Sequence, residues 1–353
     1  MDIRALLETT VRREASDLHL RAPGPAVLRI DGILTPLNDV PSLTPEDIRQ
    51  AFEQVTTDEL RQRFVAEREL DFSYTAQDLG RFRVNASIQR GTISLAMRRI
   101  GQTVPSIDAL ELPAICKRLA LSNRGLILVT GPTGSGKSTT LAAMIEHLNQ
   151  HSTRRIVTIE DPIEFLYADK RCVITQRELG RDTHTFAAAL RSALRQDVEV
   201  ILVGEMRDAE TMAGCLTAAE TGHLVFSTLH TNSAAMSIDR VIDAFPPHQQ
   251  SQIRMQLSLT LEGILSQALL ARLDGRGRAP AVEVLVANNA IRNLVREGKT
   301  HQIANVIQTG GQEGMQTMEQ ALKDLYLRQV ITLEQAQAAA RDPHAFRSLL
   351  ERV

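Results

Sequence analysis

The chain has 353 residues, with 40 basic and 42 acidic side chains and a formal net charge of −2, so it lacks the basic excess of a typical nucleic-acid-binding protein. Aromatic residues make up 3% and tryptophan is absent, which argues against a surface that stacks on exposed bases. The length favours two domains. No apolar run approaches the roughly 20 residues that span a bilayer, and the N-terminus has no signal-peptide core, so we expect a cytoplasmic protein without a transmembrane segment.

Residues 1–100 predict a small α+β domain. Helical patterns open the chain and recur after two threonine N-caps, in "TPEDIRQAFEQV" and "TDELRQRFVAE". Strand-like segments are "DLHL", "AVLRIDGIL" with its Asp31-Gly32 turn, "RFRVNASI" and "ISLAMRRI".

Alternation along two of these strands places arginines on a common face. Arg81 and Arg83 alternate with Phe82 and Val84, and Arg98 occupies the same kind of position in a second strand. Such a row is most often a solvated surface, and the alternative is a surface that binds anions.

The composition changes after residue 100. Residues 101–113 contain glycine and two prolines without a period, which predicts a linker. From residue 120 short apolar runs alternate with helical patterns, as in a parallel sheet covered on both faces. From about residue 232 we expect mostly helix, including one long helix at 248–270, then a strand at 281–287 and three or four amphipathic helices.

Residues 127–141, "ILVTGPTGSGKSTTL", carry the pattern G-x-x-x-x-G-K-[ST] between a predicted strand and a predicted helix. Glycines let backbone N–H groups turn towards phosphate oxygens, and the helix N-terminus adds partial positive charge. Lys137 would reach the β- and γ-phosphates, and Ser138 would bind Mg²⁺. The predicted nucleotide-binding residues of this loop are Gly131, Pro132, Thr133, Gly134, Ser135, Gly136, Lys137, Ser138 and Thr139.

Carboxylates follow two of the predicted strands. Glu160, Asp161 and Glu164 lie in "EDPIEF", where one of them could deprotonate a water that attacks the γ-phosphate; the alternative is a solvated acidic loop. Glu205 closes the strand in "VEVILVGE", which is the Walker B position that holds Mg²⁺ through its water shell.

Two histidines flank the next strand, in "TGHLVFSTLHTNSA". His223 and His230 are seven residues apart, at opposite ends of the strand, a spacing that does not suit a shared metal ion. Each is either a structural histidine or a residue that responds to the bound nucleotide.

Together, these stretches closely resemble the secretion ATPases that drive type II secretion and type IV pili. "GPTGSGKSTT" is similar to their Walker A motif, "TIEDPIEF" to their Asp box, "ILVGEMRD" to their Walker B motif and "TGHLVFSTLHTNSA" to their His box. "ASDLHLRAPGPAVLRIDG", "FPPHQQSQIRMQLS", "AIRNLVREGK" and "QTGGQEGMQTME" resemble the pilus-retraction branch, so the resemblance covers almost the whole chain.

The resemblance implies an α/β fold: a PAS-like N-terminal domain at 1–100, the linker at 101–113, and a RecA-like P-loop ATPase domain at 114–353 whose helical C-terminal part begins near 271. It implies a homohexameric ring that hydrolyses ATP with Mg²⁺ bound between the two domains. The implied site residues are the catalytic Glu164, Glu205 and Lys137, the Mg²⁺ ligands Ser138 and Glu205, the clamping arginines Arg81, Arg83 and Arg98, and the nucleotide-responsive His223 and His230.

Two features of this chain differ from the pattern that is usual in parts of the family. Extension and secretion ATPases usually carry a four-cysteine zinc insertion, whereas this chain has only the widely spaced Cys116, Cys172 and Cys215, which favours retraction. Before the Walker B strand the usual Asp-Pro-Asp reads Asp197-Val198-Glu199, which we expect to alter the entry to the strand and not the site.

The implied function is a motor that withdraws type IV pili, working at the cytoplasmic side of the inner membrane on a platform protein, with a related accessory retraction ATPase as a further partner. Alternatives are that the chain is itself the accessory ATPase or another secretion ATPase, a nucleic-acid translocase, or a non-enzymatic nucleotide-responsive scaffold. The neutral charge argues against the translocase, and we expect no nucleic acid as partner. The full set of carboxylates argues against the scaffold.

Overall fold

The computed structural model describes residues 2–30, 32–39, 41–101 and 103–351. The chain divides into two compact units: Met1–Thr103 with Glu164–Leu166, and Val104–Ile163 with Tyr167–Val353. Most of the expected linker therefore packs within the second unit, where Ile107 and Leu112 are buried. Gln102, in the same segment, lies outside the described residues.

The first unit is an α+β domain. Its elements are α1 (Ile3–Arg12), β1 (Asp17–Leu20), β2 (Val27–Ile30), β3 (Ile33–Pro36), α2 (Pro45–Val55), α3 (Asp58–Glu67), β4 (Glu69–Ala76), β5 (Gly80–Gln89) and β6 (Thr92–Arg99). The strands form an antiparallel sheet in the order β3-β2-β1-β6-β5-β4. Thr44 and Thr57 are the predicted N-caps. Strand β4 was not foreseen, and Asp31 of the predicted turn lies outside the described residues.

The alternation in β5 builds the core of the first unit. Phe82 and Val84 are fully buried on one face, as predicted. On the other face Arg83 is exposed, but Arg81 is only 8% exposed, so the arginine row is not a uniformly solvated surface.

The second unit is a sheet covered by helices. Its strands are β7 (Gly125–Thr130), β8 (Arg155–Glu160), β9 (Val173–Glu178), β10 (Val200–Val203), β11 (Leu224–Leu229), β12 (Leu261–Ala271) and β13 (Arg278–Val286). Its helices are α4 (Ile115–Ala120), α5 (Lys137–His151), α6 (Phe186–Ala193), α7 (Ala209–Glu220), α8 (Ala234–Asp243), α9 (Pro247–Thr260), α10 (Asn289–Glu297), α11 (Ile303–Thr309), α12 (Met318–Leu327), α13 (Leu333–Ala339) and α14 (Pro343–Leu350).

The strand order is β13-β12-β7-β11-β10-β8-β9, with every pair parallel except β12 and β13. Apolar side chains bury both faces of this sheet, as the near-continuous hydrophobic runs predict. The parallel arrangement brings the carboxyl ends of β7, β8, β10 and β11 to one edge, where ligands bind in such sheets. Strand β9 was not foreseen.

The prediction of one long helix at 248–270 is wrong. Helix α9 ends at Thr260, and the following residues form β12 between β7 and β13. An apolar run buried on both faces has no alternation to reveal a strand, and its partners lie far away in the sequence.

The C-terminal part is helical, as expected. Five α-helices and two short 3₁₀ helices follow β13 among the described residues, against three or four expected. Phe346 of α14 and Leu322 of α12 are fully buried in a core that they share with Ala279 and Ala281 of β13. Within the same residues, no helix is both long and apolar enough to cross a membrane.

Candidate nucleotide-binding and hydrolysis site

The phosphate loop joins β7 to α5. Gly131, Gly134 and Gly136 all have positive φ angles, of 142°, 79° and 87°, conformations that favour glycine. The N-terminus of α5 has no side-chain cap, so no side-chain oxygen accepts from its first backbone N–H groups. This arrangement is compatible with phosphate binding, and the binding roles of the loop residues stay a prediction.

Lys137 lies within the loop and is only 8% exposed. Its Nζ donates hydrogen bonds to the carbonyl oxygens of Gly131 at 2.9 Å and Pro132 at 3.0 Å. Ser138, one residue further, is exposed. The lysine ammonium is thus held beside the loop, and the Ser138 hydroxyl is accessible to an ion.

Two residues of the β12–β13 hairpin support the loop, and the sequence did not reveal either. Gln267 is 4% exposed and accepts a hydrogen bond from Thr140 Oγ1 at 2.8 Å. A Cβ on Gly131 would lie 2.3 Å from the Gln267 carbonyl oxygen, and one on Gly136 would lie 2.9 Å from its Nε2. Arg278 Nη1 donates to the carbonyl oxygen of Gly134 at 3.2 Å.

Glu205 follows β10 at the same edge of the sheet, and its side chain is 14% exposed. Its carboxylate pairs with the Arg207 guanidinium, and the hydrogen bond between them raises the pKa of Arg207. His230 Nε2 lies 3.5 Å from the other Glu205 oxygen. Arg207 was missed in the sequence, although it stands two residues after Glu205 in "GEMRD".

Strand β11 fixes the backbone at the end of β10. Ser227 Oγ donates to the Val203 carbonyl oxygen at 2.8 Å, and Thr228 Oγ1 donates to that of Gly204 at 2.6 Å. Both hydroxyls are buried, so these bonds are shielded from water. The position of Glu205 is therefore set by its neighbour strand.

The two histidines lie in different environments. His230 follows the carboxyl end of β11 and reaches Glu205, whereas His223 precedes the amino end. His223 Nδ1 lies 3.0 Å from the Ala218 carbonyl oxygen, next to the end of α7. Because six strand residues span about 20 Å, the second unit does not bring His223 to the phosphate loop.

The Asp box is divided between the units. Glu160 ends β8, where its Oε1 accepts a hydrogen bond from Thr158 Oγ1 at 2.6 Å, and Asp161 follows it in an exposed position. Glu164 is also exposed and belongs to the first unit, where the neighbouring Phe165 pairs with Gly101. Its catalytic role remains a prediction.

The arginines of the first unit are not equivalent. Arg98 Nε donates to Asp17 Oδ1 at 2.8 Å, and Arg83 Nε lies 3.9 Å from the exposed Asp71. Arg81 Nη1 lies 3.4 Å from Thr75 Oγ1. Arg83 is thus the most weakly held of the three, and Arg98 is committed to a carboxylate within its own domain.

No group of three or more His, Cys, Asp or Glu side chains in the described part of the chain could hold a metal ion. The ligands predicted for the ion are one hydroxyl, on Ser138, and one carboxylate, on Glu205. Mg²⁺ keeps several waters and takes few protein ligands when it binds with nucleotide phosphates, so this sparse set fits it.

A parallel sheet whose edge carries a phosphate loop and a Walker B glutamate defines a RecA-like, nucleotide-binding ATPase domain. The chain belongs to the Type II/IV secretion system protein family, which matches residues 2–345.

Several relatives agree with the chain over most of its length. It is 46% identical over 346 residues to the type IV pilus retraction ATPase PilT of Pseudomonas aeruginosa, covering 98% of this chain and 100% of the relative. It is 47% identical over 317 residues to a twitching motility protein of Neisseria gonorrhoeae, covering 90% and 84%. The type IV pilus ATPase PilU of P. aeruginosa is 40% identical over 351 residues, covering 99% and 92%.

Solved structures show the same relationship. The crystal structure of the pilus retraction motor PilT with bound ADP superposes with a TM-score of 0.92 at 47% identity and covers 100% of both chains. The ATPase DotB of Legionella pneumophila superposes with a TM-score of 0.84 at 28% identity, covering 95% of this chain and 94% of that one.

Proposed function

We propose that this chain is an ATP-hydrolysing motor that powers type IV pilus retraction as a homohexamer. The observation that carries the proposal is the agreement with the retraction ATPase over both whole chains, in sequence and in structure.

The phosphate loop and the Walker B glutamate supply the nucleotide chemistry. Lys137 moves from the loop carbonyls to the β- and γ-phosphates, and the N–H groups of α5 bind their oxygens. Ser138 and Glu205 would hold Mg²⁺, which would neutralise charge on the phosphates. His230, which touches Glu205, responds to the loss of the γ-phosphate.

Glu164 is proposed as the base that accepts a proton from the attacking water, because the resemblance assigns this role to its position. Arg81, Arg83 and Arg98 are proposed to contact the nucleotide phosphates. His223 is proposed to respond to nucleotide from a neighbouring subunit, since its own chain holds it at the far end of β11. Hydrolysis removes phosphate contacts and thereby moves one domain against the other.

The proposed setting is the cytoplasmic side of the inner membrane, on the platform protein of a pilus machine and beside a related accessory retraction ATPase. The helix α10, which carries "AIRNLVRE", supports this setting through its polar surface. Ile291 and Val295 are fully buried, whereas Asn293 and Arg296 are exposed. The exposed side chains form the proposed docking face.

The test is a deletion strain complemented with wild type, Lys137→Ala or Glu164→Gln. We expect the deletion to abolish retraction and leave excess surface pili, and only the wild type to restore retraction. The purified Glu164→Gln protein should bind ATP but turn it over at least about 100-fold more slowly, since a general base contributes that much. Normal retraction without the chain would reject the motor role, and normal turnover by Glu164→Gln would reject the role of that residue.

An accessory retraction ATPase is the second candidate, favoured by the 40% identity with PilU over 99% of this chain. It predicts that a deletion strain still retracts its pili, but with a lower stall force in an optical trap. Complete loss of retraction events would exclude it.

A further inference from the structure

Four hydroxyls form a buried cluster behind the phosphate loop; we call Thr130, Thr231, Ser237 and Ser266 the hydroxyl cluster. Thr130 and Ser266 oxygens are 2.7 Å apart, Ser237 and Thr130 are 3.4 Å apart, and Ser237 and Thr231 are 2.6 Å apart. Ser237 Oγ also donates to the Ser233 carbonyl oxygen at 2.6 Å. Thr130, Ser237 and Ser266 are completely buried.

The direction of these hydrogen bonds follows from counting protons. Each hydroxyl donates once and accepts twice, and the cluster has four protons for four contacts. The Ser233 carbonyl can only accept, so the Ser237 proton goes to it. Thr231 must then donate to Ser237, because the Ser237 proton is already directed at Ser233. The longer 3.4 Å contact, from Ser237 Oγ to Thr130 Oγ1, is a weaker branch of the same donor. Ser237 is therefore bonded to Ser233, Thr231 and Thr130 and is the centre of the cluster.

The cluster lies between the phosphate loop and the segment that carries His230. Thr130 immediately precedes Gly131, the first glycine of the phosphate loop. Thr231 immediately follows His230, whose ring reaches Glu205. The path from Gly131 to Glu205 thus runs through two peptide bonds, two hydroxyl contacts and the contact of His230 with Glu205.

Helix α8, which carries Ser237, is held independently at its start. Glu283 of β13 is 8% exposed and accepts a hydrogen bond from the Ala234 backbone N–H at 2.7 Å. Its other oxygen accepts a hydrogen bond from Arg341 Nη1 at 2.6 Å. Ser237 is thus held in place by helix α8. The Thr231 side chain, which lies between the exposed His230 and Asn232, is hydrogen-bonded to it.

We propose that Thr231 and Ser237 are positioning residues for hydrolysis: they hold the His230 loop in register with the phosphate loop, so that His230 meets Glu205 when nucleotide is bound. The proposal rests on the hydrolytic site assigned above. Loss of these hydroxyls lets His230 leave Glu205 but leaves the phosphate loop able to bind nucleotide.

The experiment compares steady-state ATP hydrolysis and fluorescent-ADP binding in purified full-length variants. Thr231→Val removes the hydroxyl at nearly constant shape, and Thr231→Ser keeps it. Ser237→Ala removes the central hydroxyl. Ser258→Ala is the matched control, because Ser258 is 2% exposed and its Oγ donates to the Met255 carbonyl oxygen within α9, away from the hydroxyl cluster.

We expect Thr231→Val and Ser237→Ala to lower kcat about 10-fold, with KM for ATP and Kd for ADP within about 2-fold of wild type. Thr231→Ser should restore kcat, and Ser258→Ala should leave it unchanged. The double variant should lose no more than the single variants, because both remove the same contact.

Unchanged kcat in Thr231→Val would overturn the proposal, as would a Thr231→Ser variant as slow as Thr231→Val. A parallel loss of ADP affinity in all cluster variants would assign the hydroxyls to folding of the loop and would overturn it too. Normal retraction in the deletion strain would reject the proposed function, whereas unchanged kcat in the purified variants would reject the positioning role. The two failures are therefore distinguishable.

Discussion

Among single residues, Asp17 is the carboxylate that holds Arg98, one of the three arginines predicted to contact the nucleotide. Its side chain is 9% exposed and accepts hydrogen bonds from Arg98 Nε and Ser16 Oγ, both at 2.8 Å. Burial acts to raise the pKa of Asp17, but the hydrogen bonds from Arg98 and Ser16 outweigh it and lower that pKa below its usual value. Asp17 thus stabilises the first unit while it is ionised.

We predict that Arg98→Met lowers the free energy of unfolding at pH 7 by about 1–3 kcal/mol, because it removes the shorter of two arginine contacts to a nearly buried carboxylate and leaves Arg29 at 3.9 Å. A carboxylate with a lowered native pKa stabilises the fold above its unfolded pKa, near 4, and this stability is lost as pH falls through the native pKa. The difference between wild type and variant should therefore shrink below about pH 4 in urea titrations.

Arg83→Met is the control, since its partner Asp71 is exposed and 3.9 Å away. We expect it to change stability by less than about 0.5 kcal/mol. A loss in Arg98→Met that does not vary with pH would contradict the account. The ATPase activity of Arg98 variants should be compared with this change in the free energy of unfolding.

Gln267 is the second residue for which we predict an effect. Gln267→Met keeps the shape of the side chain but removes the acceptor for Thr140 Oγ1 and the amide that packs on Gly136. We expect about a 5-fold weaker affinity for ADP, from the loss of about 1 kcal/mol of hydrogen bonding. Titration calorimetry would measure it.

Gln316→Met is the matched control, because its Nε2 donates to the Val282 carbonyl oxygen at 2.7 Å and it stands outside the loop. Equal affinities in both variants would show that Gln267 does not support the phosphate loop.

Among the elements of the second unit, β12 is an internal strand that joins β13 to the parallel part of the sheet. It lies between β7 and β13, and its Gly263 approaches the neighbouring elements closely. A Cβ at this position would lie 2.9 Å from Leu119 Cδ1 and 3.2 Å from the Leu285 carbonyl oxygen. A larger residue there would press on the Leu119 side chain and on the backbone of β13.

Gly263→Ala should therefore lower the free energy of unfolding of the second unit by about 1–3 kcal/mol, the usual effect of overpacking. Gly311→Ala is the control, because a Cβ there would meet nothing within 4 Å and its φ is ordinary. Chemical denaturation followed by circular dichroism would measure both. If the two variants were equally stable, β12 would not be packed as described.

At the scale of the whole molecule, the chain has separate hydrophobic cores. The core of the first unit uses residues from Ile3 to Met97, and those of the second unit begin at Ile107. Units with their own cores can fold alone.

We predict that a fragment of residues 1–103 folds cooperatively, with dispersed amide resonances and a single melting transition. Phe82→Ala in that fragment should reduce its stability by about 3–5 kcal/mol, because Phe82 is completely buried. A fragment without dispersed resonances would show that the first unit requires the rest of the chain.

Much of the fold follows from local patterns. The threonine caps predict the starts of α2 and α3, and the alternation in β5 predicts which side chains are buried. Strand β12 could not be predicted in this way, because an apolar run buried on both faces has the same appearance in a helix and in a strand. Strand β4 was missed although Leu70 and Phe72 alternate with the exposed Glu69 and Asp71, the pattern of a half-buried strand. Strand β9 was missed as well, and its pairing with β8 identifies it.

The glycines, Lys137 and Ser138 of the phosphate loop are contiguous in the chain, so the sequence alone is enough to predict a nucleotide-binding loop. The distant side chains that support the loop become visible in the folded chain. Gln267 meets Thr140 across 127 residues, and Thr130 meets Ser266 across 136. Such pairs form because strand order brings remote segments together, and no local period records that order.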